Sequence, residues 1–180
     1  MNWKSYIQNT KNRPPSLLLG EAISHAHKGM ALDIGAGNLV DSKEMVNNGF
    51  RVMVVDPNVE PIPSEGIEIF SIKIEDFDFP LERFALVNAQ YSLPFTENIP
   101  RTVQNIHTSL IQGGIFSGQF FGKEDGWNGR EGVITHARAE IENLFSQWEI
   151  IRFEEEKKIK SSKTHGEKLW HVFHVIARKK

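Results

Sequence analysis

The sequence predicts an α/β fold built on a doubly wound, seven-stranded sheet that is mostly parallel and has an antiparallel terminal strand. Short apolar runs alternate with helix-like segments five times, a glycine-rich turn follows the first apolar run, and two long β-type segments end the chain. Strands joined through helices run parallel by right-handed crossovers, whereas two strands joined by a hairpin run antiparallel. One of the last two strands must therefore oppose the others.

Composition narrows the class of protein. A chain of 180 residues fits one domain, 1–180, in which we expect residues 1–28 to form an N-terminal helical cap. A net charge of -2 gives no broad electrostatic reason to expect nucleic acid as a partner. The absence of cysteine excludes disulfides, thiolate metal sites and cysteine nucleophiles. The chain lacks an apolar signal core and a membrane-length apolar run, so we expect a cytoplasmic protein.

The first elements follow from caps and apolar spacing. Ser16 is predicted to cap a helix with one apolar face, which Gly29 ends. A short apolar strand at residues 30–34 leads through the glycine turn to a helix at residues 39–48. Residues 51–55 form a continuous apolar run, which is typical of a strand buried on both faces of a parallel sheet.

The later elements have the same kinds of signal. The apolar positions Ile99, Val103, Ile106 and Leu110 recur at helical spacing and predict a helix. Thr135 is predicted to cap the last helix. The remaining strands are predicted at residues 67–72, 84–89, 115–121, 149–159 and 169–178.

Polar or aromatic residues follow four consecutive predicted strands. In open α/β sheets a ligand binds beyond the carboxyl ends of the strands, so these residues are expected to share one crevice. A carboxylate at Asp56, about twenty residues after the first strand, can accept both hydroxyls of a ribose. Taken singly, each feature also has an ordinary structural explanation, such as turn formation. The candidate cofactor-binding residues here are Asp33, Ile34, Gly35, Ala36, Gly37, Asp56, Pro57, Glu75, Asp76, Phe77, Asn88 and Ala89.

The glycine turn separates two classes of nucleotide cofactor. Dinucleotide-binding turns have the spacing Gly-x-Gly-x-x-Gly, and Val40 occupies the third glycine position in this chain. A carboxylate two residues before the first glycine, Asp33, suits a cofactor that carries an ammonium group. The turn therefore favours S-adenosylmethionine over a nicotinamide dinucleotide.

At these motifs the chain resembles the class I S-adenosylmethionine-dependent methyltransferases. The resemblance rests on residues 32–37, 54–56, 74–77 and 110–115, and on the final hairpin. It implies a Rossmann-like fold, S-adenosyl-L-methionine as cofactor, and a small-molecule enzyme similar to the tellurite-resistance type. The chain departs from many members at Leu39, where they have a third glycine.

The acceptor site is predicted from aromatic residues near the same edge of the sheet. Tyr91 follows the fourth strand, and Phe121 and Trp127 belong to a glycine-hinged segment that is typical of a lid. The resemblance also implies that the cap folds over the cofactor, with Tyr6 near the acceptor and Arg13 near the carboxylate of the cofactor. Packing or a solvated position is an almost equally good explanation for Tyr91 and Arg13. The histidine spacings predict no metal site, and no catalytic residue emerges from the sequence.

We therefore predict methyl transfer from S-adenosylmethionine to a small molecule, with no membrane partner. A non-catalytic S-adenosylmethionine-binding regulator or scaffold is the first alternative, because no acceptor-activating residue is evident. The second is an RNA methyltransferase that uses a lysine run near the end of the chain. Such a run is more often a solvated loop, so nucleic acid is the less favoured partner; the lysines are Lys157, Lys158, Lys160, Lys163 and Lys168.

Overall fold

The computed structural model describes residues 13–62, 64–162 and 166–180. The strands are β1 (Met30–Ile34), β2 (Arg51–Val55), β3 (Ile67–Phe70), β4 (Phe84–Ala89), β5 (Leu110–Gly122), β6 (Thr135–His136), β7 (Trp148–Ser162) and β8 (Gly166–Lys179). The helices are α1 (Leu17–His25), α2 (Val40–Asn47), α3 (Ile99–Ser109) and α4 (Arg138–Leu144), with 3-10 turns at Ile74–Asp76 and Leu93–Phe95.

All the described strands belong to one sheet of order β3-β2-β1-β4-β5-β8-β7, with the two-residue β6 beside β5. Strands β1 to β5 pair in parallel, whereas β8 is antiparallel to both of its neighbours. The strand order reverses between β1 and β4, which is where open sheets of this kind form a ligand crevice. The predicted fold class is confirmed.

Helices cover both faces of the sheet. On one face, Leu19 of α1 and Met45 of α2 pack in a cluster with Val52 and Val54 of β2. On the other face, residues of α3 and α4 pack against alternate residues of the central strands together with Phe116. Because both faces are covered, the sheet's carboxyl edge is the part left open to a ligand.

The closing hairpin is longer than the sequence predicted. Strand β8 pairs with β5 only between Arg178 and Val172, whereas its pairing with β7 continues to Gly166. The half of the hairpin nearest its turn therefore projects past the carboxyl end of β5. This overhang forms a wall beside the crevice.

Three local predictions are wrong. Thr135 lies in β6, and α4 begins later, where Glu140 Oε2 accepts a hydrogen bond from Ala137 N at 2.6 Å. Ser16 occupies the position before α1, but its hydroxyl donates to Gln90 Oε1 at 2.7 Å and does not cap the helix. Leu110, predicted as the last apolar position of a helix, instead begins β5.

Gly122→Ala is predicted to destabilise the fold. A Cβ at this position would lie 2.3 Å from Cε1 of His171, whose Nδ1 accepts from Glu124 N at 3.1 Å. Forcing this ring aside costs about 1–3 kcal/mol of unfolding free energy. Urea denaturation measures the change. Gly20→Ala, in the exposed middle of α1 with open space around it, is the control and is expected to stabilise by about 0.5–1 kcal/mol. Equal stability of the two variants would contradict the prediction.

Candidate functional site

A cavity of about 650 Å³ lies at the carboxyl edge of the sheet, between the glycine turn and the overhanging hairpin. This volume is within the roughly 300–1,000 Å³ that small-molecule sites occupy. One half is lined by the turn after β1 and the ends of β2 and β4, and the other half by aromatic side chains. We call these the polar half and the aromatic half.

The turn after β1 depends on its glycines. Gly35 has a φ of 73°, and a Cβ there would lie 2.4 Å from Cβ of Ser92. Gly37 also has a positive φ, of 56°. Both positions lie in the left-handed region that L side chains disfavour. The turn therefore brings bare backbone to the cavity.

Leu39 adopts the conformation that a third glycine would provide. Its φ of 62° and ψ of 17° are left-handed, and α2 begins at the next residue. Leu39 therefore differs from a glycine in its side chain, but its backbone has the conformation that a glycine would adopt. The side chain packs against the core cluster that includes Leu19 and Met45, which offsets part of the conformational cost.

Asp56 connects the turn to the end of β2. Its Oδ2 accepts from Gly37 N at 2.8 Å, and its Oδ1 accepts from Asn58 N at 2.8 Å. The residue is 5% exposed and lines the cavity. Each carboxylate oxygen has a further acceptor site, so Asp56 can accept additional hydrogen bonds from a pair of hydroxyls.

Asp33 lies behind the turn and does not line the cavity. It is 1% exposed, and its oxygens accept from Ser42 Oγ at 2.5 Å and Asn88 Nδ2 at 2.8 Å. Burial raises the pKa of Asp33 from 3.8 to about 7, although the two hydrogen bonds oppose this shift. The carboxyl therefore titrates in the neutral range.

A chain of amide side chains continues from Asp33 toward the aromatic half. Asn88 Oδ1 accepts from Gln90 Nε2 at 2.7 Å, and Gln90 Oε1 accepts from Gln119 Nε2 at 2.8 Å. Gln119 Oε1 in turn accepts from Tyr91 N at 3.1 Å. Tyr91 has a φ of 55°, so this hydrogen bond helps to hold a strained backbone at the boundary between the two halves. The roles of Gln90 and Gln119 were not predicted.

Arg13 lines the cavity and is bound to the start of α2. Its Nη2 lies 2.6 Å from Asp41 Oδ2, and its Nη1 lies 3.2 Å from Asp41 Oδ1. Asp41 Oδ1 also accepts from Ser16 N at 2.8 Å. Asp41 therefore fixes the segment before α1 over the polar half and holds the guanidinium there.

Five rings form the aromatic half. Neighbouring ring centroids are 5.5–6.3 Å apart, mostly at edge-to-face or tilted angles that stabilise aromatic clusters. Three of these residues were predicted and two, Phe95 and Trp170, were not. The five rings belong to Tyr91, Phe95, Phe121, Trp127 and Trp170, and all five residues line the cavity.

The segment that carries Trp127 is tied to β8. Asp125 Oδ1 accepts from Trp127 N at 2.9 Å, and Asp125 Oδ2 accepts from His171 N at 3.1 Å. Gly126 N donates to Leu169 O at 2.9 Å. These three hydrogen bonds join the segment to β8 beside the aromatic half.

The overhanging hairpin contributes one face to the cavity. Glu156, Lys158 and Lys160 alternate along β7 and line the cavity, and Trp170 stands opposite Lys158 on β8. Alternation along a strand places such residues on one face. The prediction of a solvated lysine is therefore wrong for Lys168, which is 7% exposed, and Lys158 is half-buried in the cavity wall, whereas Lys160 lines the cavity and is exposed as predicted. Lys163 lies outside the described residues.

The predicted site residues divide into those that reach the cavity and those that do not. Phe77 packs edge-to-face against Phe70 and Phe79, Asp76 is exposed, and Asn88 and Ala89 are buried within β4. Tyr6 lies outside the described residues. Those that line the cavity are Arg13, Ile34, Gly35, Ala36, Gly37, Asp56, Pro57, Glu75, Tyr91, Phe121 and Trp127.

His136 does not line the cavity. His136 is buried in β6, and burial lowers its pKa. Within residues 13–62, 64–162 and 166–180, no group of histidine and acidic side chains has the arrangement of a metal site. Over the same residues, no helix is both long and apolar enough to cross a membrane.

Comparisons with known proteins agree with this geometry. A family model described as a methyltransferase domain matches residues 32–117. The chain has no match among curated protein sequences. Many solved structures share its fold.

Three of these neighbours illustrate their range. One is the 1,6-didemethyltoxoflavin-N1-methyltransferase of Burkholderia thailandensis, solved with 1,6-didemethyltoxoflavin and S-adenosylhomocysteine bound. It is 18% identical in sequence, the match covers 99% of this chain and 86% of that chain, and the TM-score is 0.66. Another is TehB of Haemophilus influenzae, at 16% identity over 90% of this chain and 61% of that chain, with a TM-score of 0.71. A third is a Haloferax volcanii complex of the Trm112 methyltransferase activator with a putative methyltransferase, at 11% identity over 97% of this chain and 94% of that chain, with a TM-score of 0.72.

The matched family model covers the glycine turn, Asp56 and the strands that carry them. The sheet order and the antiparallel β8 agree with the neighbours' common fold. The chain therefore has the fold of the class I S-adenosylmethionine-dependent methyltransferases, and the methyltransferase-domain model matches its residues 32–117.

Proposed function

We propose that the protein transfers a methyl group from S-adenosylmethionine to a small-molecule acceptor bound in the aromatic half of the cavity. The observation that carries this proposal is the continuity of one cavity from the glycine turn and Asp56 to the aromatic rings. Its walls on the acceptor side are side chains fixed by neighbours, which suits a compact molecule better than a long polymer.

The polar half fits the cofactor. The bare backbone at Gly35 and Gly37 accommodates the methionine part, and the carboxylate of Asp56 receives the ribose hydroxyls. Ile74 and Glu75 line the cavity beyond Asp56, where the adenine would lie. Asp41 orients the Arg13 guanidinium, whose other N–H groups can donate to the cofactor's carboxylate, and Asp33 acts on its ammonium group through the electrostatic field behind the turn.

The chain's own contribution to the reaction is alignment and desolvation. When bound, S-adenosylmethionine supplies a methyl group already activated on a sulfonium. The amide chain that ends at Tyr91 N fixes the backbone between the two halves, and the aromatic rings exclude water from the acceptor side. In well-oriented systems such positioning accounts for several kcal/mol of a barrier, up to about 7–11 kcal/mol.

A small acceptor is better supported than RNA. The Burkholderia neighbour was solved with 1,6-didemethyltoxoflavin and S-adenosylhomocysteine bound, which supports a small molecule as the acceptor in this fold. Three of the four described lysines in the run near the end of the chain have acidic neighbours: Lys157 Nζ lies 2.6 Å from Glu124 Oε1, Lys158 contacts Glu156, and Lys168 Nζ lies 2.6 Å from Asp125 Oδ1. Charge that is already balanced within the protein gives little attraction to a phosphate backbone.

Asp56→Ala is predicted to weaken binding of S-adenosylhomocysteine. The change removes both acceptor oxygens proposed for the ribose, and hydrogen bonds to a charged group contribute about 1.5–3 kcal/mol, so affinity falls about tenfold or more. Isothermal titration calorimetry measures the loss. The wild-type protein is expected to bind S-adenosylhomocysteine and not NAD.

Asp78→Ala is the matched control, because Asp78 is exposed and does not line the cavity. It should leave the affinity unchanged. Undiminished binding in the Asp56 variant would place the ribose elsewhere. Binding without product formation across a panel of small acceptors would support the non-catalytic alternative, and turnover on RNA alone would contradict the proposed acceptor class.

Affinity for S-adenosylhomocysteine is predicted to rise with pH through about 7. In the ligand-free protein the pKa of Asp33 is 3.8 in the unfolded state and about 7 in the folded state. The stability that protonated Asp33 contributes to the folded state is therefore fully present below pH 3.8 and is lost as the pH rises through about 7. A bound ammonium group favours the carboxylate. The affinity should therefore increase up to about tenfold between pH 6 and 8, according to the linkage of binding to one proton.

Asp33→Asn tests this linkage, because an asparagine amide can still pair with Ser42 and Asn88 but does not titrate. Calorimetry across the same pH range should give a nearly constant affinity for this variant. A wild-type affinity that stays level, or falls, between pH 6 and 8 would contradict an electrostatic role for Asp33.

A further inference from the structure

Lys168 is a buried cation that methyl transfer does not require. Its Nζ lies 3.5 Å from the ring centroid of Trp170, 4.0 Å from that of Trp127 and 4.8 Å from that of Phe121. It also lies 2.6 Å from Asp125 Oδ1, in an ion pair that is not a well-directed hydrogen bond. The ammonium group thus receives much of its stabilisation from three aromatic rings.

The position of this cation relative to the cavity matters. Phe121, Trp127 and Trp170 line the cavity, whereas Lys168 does not. Its side chain is covered by the rings and by the segment that Asp125 ties down. The ammonium group therefore contacts these rings from outside the cavity, while other parts of the same rings are presented to an acceptor.

A cation bound to a ring changes what the ring will accept elsewhere. Cations are attracted to the negative charge on an aromatic face, and a second positive charge near the same ring is repelled by the first. The Arg130 guanidinium also lies 5.3 Å from the centroid of Trp127, so that ring has two cationic neighbours. The aromatic half is consequently unfavourable for a positively charged acceptor.

Acidic groups near the aromatic half offset only part of this effect. Asp125 pairs with Lys168, but the ammonium group is the one in contact with the ring faces, and Glu97, which lines the cavity, lies 3.5 Å from Lys73 Nζ. Glu156 lines the cavity, but its carboxylate contacts Lys158 Nζ and lies 3.5 Å from His174 Nε2. Lys160 lines the same wall and adds positive charge. The aromatic rings and their surroundings therefore favour a flat apolar surface and disfavour a cation.

We propose that the acceptor is a planar aromatic or heteroaromatic molecule without positive charge, and that Lys168 is the residue that sets this preference. The inference rests on the proposed function, because it concerns the acceptor side of the same cavity. Lys168 acts through the rings and is a specificity-determining residue, not a catalytic one.

The test compares three bicyclic probes of similar size in the presence of saturating S-adenosylhomocysteine. They are 2-naphthol, which is uncharged, 2-naphthoate, which is anionic, and N-methylquinolinium, which is cationic. Calorimetry should show that the wild-type protein binds the first two probes at least about tenfold more tightly than the cation, because the difference in binding free energy should be similar to the energy of a cation–π interaction. Lys168→Met leaves Asp125 without its lysine partner, so the affinity for the cation should rise to that of the other two probes or above it, and Lys168→Arg should keep the wild-type order.

Lys180→Met removes the same charge at an exposed position outside the cavity and is expected to leave all three affinities unchanged. Parallel weakening of all probes in Lys168→Met would indicate a structural role alone and would overturn the inference. Should that variant not fold, the wild-type order decides, and a preference for N-methylquinolinium or equal binding of the three overturns it. If S-adenosylhomocysteine itself does not bind, the result counts against the proposed function. If it binds but the protein does not distinguish the three probes by charge, or binds none of them, only this inference is overturned.

Discussion

The site depends on a carboxyl group buried at the centre of the sheet. Asp33 belongs to β1, and its two hydrogen bonds reach Ser42 on α2 and Asn88 on β4. Burying a carboxyl group costs free energy unless its oxygens accept hydrogen bonds. The two hydrogen bonds of Asp33 therefore hold β1, α2 and β4 in one arrangement. That arrangement sets the distance between the glycine turn and the end of β4, which bounds the polar half of the cavity.

The closing hairpin has the corresponding role for the aromatic half. The sheet alone would leave the space beyond β5 open to solvent, and the overhang of β7 and β8 supplies its missing wall. Asp125 joins this wall to the segment after β5 through His171 N and the ammonium of Lys168. The aromatic half is formed mostly by the hairpin and one loop, so it can differ between proteins that share this fold while the polar half of the cavity stays the same.

Much of the fold could be predicted because its signals are local. Apolar runs of strand length, a helix with regular apolar spacing and the glycine turn each follow from a few consecutive residues. Residues at strand ends, such as Asp56, were identified for the same reason, since parallel topology brings those ends together. The conformation of Leu39 is known only from the structure, in which this leucine adopts the left-handed backbone conformation that is usual for glycine.

The unpredicted part of the site consists of contacts between residues far apart in the chain. Lys168 looked like a member of a solvated lysine run, and nothing in its neighbouring sequence indicates that Trp127 and Asp125 cover it. Gln90 and Gln119 likewise form their network only when β4 and β5 are paired. The preference of an aromatic ring for a ligand depends on the charges around it. The kind of molecule that the aromatic half can bind is therefore determined by these long-range contacts, whereas the kind of cofactor is determined by a short sequence motif.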